Sequence, residues 1–140
     1  MTKLEQYRDI AKRLEAATAS CNTIDVSIAD ALGITLDKAY NDNVGEDWYI
    51  ISGGWPDRLY CWLPYFTNSI DAALGLVGRV LPGANIALTN ARGRGMWVVS
   101  ILIPEIIRAI PRLRQFKAPT APIAILKALF AALIAQEEFK

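Results

Sequence analysis

The side chains that most often do chemistry near neutral pH are missing: none of the 140 residues is histidine. That removes the Ser-His-Asp and Cys-His nucleophile pairs, the helical zinc motif built on two histidines, and the commonest general base. Cys21 and Cys61 lie forty residues apart and cannot make a four-ligand zinc site alone. A disulfide between them would suit a secreted chain, but neither flank suggests secretion, so they read as buried thiols of a cytoplasmic protein. Acid–base work would fall to Asp, Glu, Lys, Tyr or Cys, and no two of these stand at a spacing that fixes both on one face. The stretch Asn41-Asp42-Asn43-Val44-Gly45-Glu46-Asp47 has calcium-like composition but misses the EF-hand spacing, with its glycine misplaced. Gly93-Arg94-Gly95 is too short for a nucleotide loop, which needs a strand before it and a helix after it. Asp71, three residues after Asn68, reads as a helix-capping acid. The expectation is a chain without catalytic residues, metal or cofactor, hence not an enzyme.

Binding is the other chemistry to weigh. The net charge of +1 is a cancellation. Residues 1–70 hold six basic and ten acidic side chains, net −4, and residues 71–140 hold nine basic and four acidic, net +5. Within the basic half, Arg92 and Arg94 flank Gly93, and Arg108, Arg112, Arg114 and Lys117 follow. If that loop and the later stretch lie on one edge, they form a patch whose paired N–H donors suit phosphates. The plainer reading is solvated edge residues, or partners for the acidic half of this chain or of a neighbouring copy. It is favoured because a near-neutral domain lacks the charge footprint of a dedicated nucleic-acid binder. Seven of thirteen aromatics crowd into residues 48–66. They could stack on bases or sugars, but aromatics are also preferred strand and core residues. Trp55 is singled out, because its Gly-Gly-Trp-Pro setting predicts an exposed indole.

These residues need elements to hold them. Thr2 and Glu5 have capping-box spacing, and Leu4, Tyr7, Ile10, Ala11, Leu14 and Ala17 then trace one apolar stripe. A second helix is predicted over 23–32, with Thr23 as cap, Asp25 in its first turn and Gly33 ending it. Residues 36–47 read as a loop, followed by a hairpin of strands 48–52 and 59–63 around a turn over 53–57. Thr67 or Asn68 should cap a helix to about Val77, burying Ile70, Ala73, Leu74 and Val77 and ending at Gly78. A second hairpin pairs 86–89 with 96–103, the latter apolar except for Ser100 and so suited to the middle of a sheet. Residues 105–116 fit a short helix interrupted at Pro111. The last helix begins near Thr120 as cap, with Pro122 in its first turn. Ile123, Leu126, Phe130, Leu133 and Ile134 form one stripe of it, and Ala124, Ala128, Ala131 and Ala135 a second. With no broad polar face, it is either sandwiched or shared with another subunit. Its lone Lys127 and two prolines near its start argue against a membrane span.

The sum is a single α+β domain over 1–140, with a mainly antiparallel four-stranded sheet in two hairpins and helices on both faces. The N-terminal residues open straight into charged helical sequence, so no signal peptide is expected. In this order, residues 24–33, residues 65–76 with their Asn68-Ser69-Ile70-Asp71-Ala72-Ala73-Leu74 centre, and the Ala/Leu-rich residues 121–135 resemble the phage ABA sandwich domain family. The resemblance covers most of the chain and implies a phage or prophage protein with an α/β/α sandwich. It supplies no catalytic residue. The chain departs from the family in the arginine-rich stretch over 105–117, longer than the usual loop, and in Lys127. The function expected is an accessory role through protein association or self-association, the alanine stripe of the last helix allowing close helix packing. The alternative is a nucleic-acid-binding module using the region from Arg92 to Lys117.

Overall fold

The computed structural model describes residues 2–19, 21–41, 46–53, 66–91, 95–102 and 115–138, with the backbone alone for 22, 35–41, 46–53 and 91. Helix α1 (Lys3–Ala16) starts on the expected capping box. The Glu5 N–H donates to Thr2 Oγ1 at 3.2 Å and the Thr2 N–H to Glu5 Oε2 at 2.9 Å. Two orphan donors are thereby satisfied, and Tyr7, Ile10 and Leu14 are buried. Helix α2 (Asn22–Ala31) differs at its start: Cys21, not Thr23, is the N-cap residue, and its side chain makes no capping bond. The helix is held there by tertiary bonds described below. Gly33 takes φ +73° just past its end, as the sequence predicts.

Strand β1 (Thr35–Asn41) occupies half of the stretch read as a loop, and it pairs antiparallel with β2 (Glu46–Gly53). The hairpin is therefore formed upstream of the expected one. Residues 35–41 lack the β-branched and aromatic run of 48–52, so their strand character comes from pairing rather than from local propensity. The expected partner strand over 59–63 and the turn over 54–57 lie outside the described residues.

Helix α3 (Ile70–Val80) is capped by Ser69, whose Oγ accepts the Ala72 N–H at 3.2 Å, rather than by Thr67 or Asn68. It runs through Gly78, and the left-handed glycine is Gly83, at φ +85°. Ala73, Leu76 and Val77 are buried, whereas Ile70 and Leu74, expected inside, are each 38% exposed. The buried face runs through Ala73, Leu76 and Val77, and α3 packs on α4. Ile70 and Leu74 fall at the edge of that stripe and remain exposed.

Strands β3 (Asn85–Ala91) and β4 (Met96–Leu102) form the expected second hairpin. A short strand β5 (Gln115–Ala118) adds to the free edge of β4. The apolar β4 thus lies in the middle of a three-stranded antiparallel sheet. Gln115 and Phe116 belong to this strand, not to a helix; Phe116 pairs with Val99, and the rest of the expected helix, 105–114, lies outside the described residues. The described strands make a two-stranded and a three-stranded antiparallel sheet, while one strand of the expected sheet of four, over 59–63, lies outside the described residues.

Helix α4 (Ala121–Glu138) fills the centre. It packs on β4 and β5 on one side and on α1 and α3 on the other. Consequently it is buried nearly all round, from Ala121 to Leu126 and at Ala128, Leu129, Phe130, Ala132 and Leu133. Phe130 meets Tyr7 of α1 edge to face, ring centroids 5.8 Å apart. The sandwiched reading of this helix holds, and half of its alanine stripe is used internally: Ala124 and Ala128 are fully buried in their own chain, whereas Ala131 and Ala135 are half-buried. Lys127 threads its stem out of this apolar packing. Its Nζ reaches the Lys117 carbonyl at 2.9 Å and Glu15 at 3.7 Å. At the far end Arg8 pairs with Glu138 at 2.9 Å. The molecule is thus α+β, and among the described residues no helix is long and apolar enough to cross a membrane.

Candidate functional site

Trp55, Arg92, Arg94, Arg108, Arg112 and Arg114 all lie outside the described residues. Of the described residues that flank them in sequence, Ala91 pairs with Met96 at the start of β4, and Leu102 pairs with Asn85 at its other end. Seven residues of strand separate these two ends by roughly 20 Å. Lys117 is exposed on β5, opposite Val98. The stretch with calcium-like composition contributes Asn41 and Glu46 as the closing pair of the β1–β2 ladder. Asp71 lies in the first turn of α3, as expected, with Ser69 making the cap bond beside it.

A polar cluster that the sequence did not reveal joins α2 to the residues leading into α3. Asp25 and Thr67 are both buried. The Thr67 N–H donates to Asp25 Oδ1 at 2.8 Å, and the Thr67 hydroxyl donates to Asp25 Oδ2 at 3.1 Å. The same hydroxyl accepts the Cys21 N–H at 2.9 Å and lies 3.4 Å from the Cys21 carbonyl oxygen. Burial raises the Asp25 carboxyl from 3.8 to about 6, against the two Thr67 bonds, which favour the ionised form. When Asp25 takes a proton, Oδ2 can donate to Thr67 Oγ1 while the hydroxyl turns to the Cys21 carbonyl. Both protonation states therefore keep their bonds. The Cys21 thiol is held below its ordinary value, chiefly by the Ile24 N–H, with burial opposing and Thr23 and Arg13 assisting. Arg13 is itself fixed from α1 by Ser27 Oγ at 2.6 Å. The geometry makes this cluster a clasp between elements: the bonds of Thr67 tie the start of α2 to the residues leading into α3, and Arg13 with Ser27 ties α1 to α2.

The surface offers a different arrangement on α3. Ile70, Asp71, Leu74, Gly75, Gly78 and Arg79 are its exposed residues, and they form one continuous face at helical spacing. Among the described residues, Ile70 and Leu74 are the large apolar side chains that stand exposed. A side-chain carbon built at Gly78 would meet nothing within 4 Å. Near the C-terminal end of this helix, an open cleft of about 530 Å³ carries Lys3, Gln6, Asp30 and Arg79 on its walls. What the α3 face can do chemically is bury apolar surface against a partner.

No family model, no curated protein and no solved structure matches this chain.

Proposed function

We propose that this chain is a phage- or prophage-derived accessory protein that acts by associating with protein rather than by catalysis, in the cytoplasm of a bacterial host. The observation that carries the reading is the outer face of α3, where Ile70 and Leu74 stand exposed one turn apart. Two aliphatics one turn apart make a small apolar patch that a partner can cover. The phage origin rests on the likeness of residues 24–33, 65–76 and 121–135 to the sandwich family. The family's α/β/α arrangement would need a helical layer over the outer side of β3–β5. Met96, Val98 and Leu102, which alternate with the inward Trp97, Val99 and Ile101 of β4, are half-buried and apolar there, as such a layer requires.

A photo-crosslinking residue placed at Leu74 in the host, with the same residue at Asp9 of α1 as reference, tests this. Discrete protein adducts from position 74 and none from position 9 are expected. Absence of protein adducts, together with nucleic-acid binding that weakens steeply with salt, would contradict the reading and favour the arginine-bearing stretches.

A further inference from the structure

We infer that α3 is a self-pairing surface: two copies of this chain join antiparallel through it, about a two-fold axis level with Gly75. This deepens the protein-association reading and rests on it.

Charge and shape on the exposed face are self-complementary. Asp71 and Arg79 stand four residues before and after Gly75. An antiparallel partner centred there brings Arg79 of the second copy to the height of Asp71, and the symmetry does this twice. Arg79 has five N–H donors, enough for such a pairing besides any bond within its own chain. The same axis sets Leu74 beside its own counterpart. Gly75 and Gly78 lie along the middle of the face, where two helix backbones approach most closely.

Gly78 supplies a separate argument. Glycine in a helix interior is unfavourable relative to alanine, and none of the described residues occupies the space an added carbon would take. Packing among the described residues gives no reason for a glycine there. A second helix lying across it does, because a missing side chain lets the backbones approach.

The pair is small. Eleven residues of helix span about 16 Å, which places the contact among weak, transient interfaces with dissociation constants of roughly tens of micromolar. Sedimentation equilibrium of the full chain from about 5 to 500 μM covers that range. A monomer–dimer equilibrium is expected, weakened about tenfold or more by Leu74→Asp and by Gly78→Ala. The alanine variant should at the same time melt higher than the parent, so its loss of association cannot be a failure to fold. D71R and R79D should each weaken pairing, and the double variant D71R/R79D, in which the charges are opposite again, should recover it. Circular dichroism checks helix content throughout. A dimer indifferent to these substitutions would overturn α3 pairing while leaving protein association standing through another surface. A monomer across the whole range would overturn self-pairing, and the crosslinking at position 74 then decides the broader reading independently.

Discussion

Asp25 is held by two hydrogen bonds from a single residue, Thr67, deep under the junction of α2 and α3. Its carboxyl titrates near 6 in the folded chain, against 3.8 for an ordinary aspartate. A raised carboxyl pKa means that the folded state takes up a proton between those values that the unfolded chain does not. Ionised Asp25 is therefore a cost near pH 7, relieved as pH falls through 6, and the gain is complete once pH drops below 3.8. Urea denaturation of the parent and of Asp25→Asn isolates this residue. The parent should gain about 2 kcal/mol relative to the variant between pH 7 and pH 4.5; a flat difference would contradict the assignment. Thr67→Val should cost about 2 kcal/mol, since it orphans the Cys21 N–H and removes a donor from the carboxylate, while Thr67→Ser should restore most of the loss. Asp25 was legible as a first-turn acid of a helix. Its burial was not, because its partner stands 42 residues away and no local pattern announces the pair.

The elements that local chemistry specifies were legible, and those set by distant partners were not. Thr2 with Glu5 fixes the start of α1, Gly33 closes the turn after α2, and β4, apolar except for Ser100, lies mid-sheet, all as the residues imply. Strand β1 and the four-residue β5 exist because a neighbouring strand completes their hydrogen bonds, so propensity alone did not show them. The face of α3 was misjudged because helical spacing alone admits two overlapping apolar stripes, and packing of α3 on α4 selects the one through Leu76 over the one through Ile70 and Leu74. In dilute solution, where the chain is monomeric, Gly78→Ala should stabilise it by about 0.5–1 kcal/mol through helix propensity; thermal melts at a few micromolar check this. At the start of α4, Thr120 supplies its carbonyl to the Ala124 N–H at 3.2 Å, but its buried hydroxyl makes no hydrogen bond. The expected side-chain cap is absent. Thr120→Val should consequently be neutral or stabilising, whereas a working cap would cost about 1 kcal/mol to remove.

At the scale of the whole molecule, one helix organises everything else. Helix α4 is covered by the sheet on one side and by α1 and α3 on the other, so its lack of a polar face is explained within a single chain. Leu129→Ala, at a fully buried position, should cost about 3 kcal/mol by chemical denaturation. The opposed charges of the two halves meet in part across this helix, where Lys127 of the basic half reaches Glu15 of the acidic half. Among the described residues, the outer face of α3 is where large apolar side chains stand exposed, and the proposed association is assigned to it. The most direct test of that claim is an amide NMR dilution series on the full chain from about 500 to 5 μM, the range set by a weak interface. Shifts that move with concentration should be confined to Ile70–Val80 and its immediate neighbours. Spectra that do not change on dilution, or changes centred on α1 or β3, would contradict it.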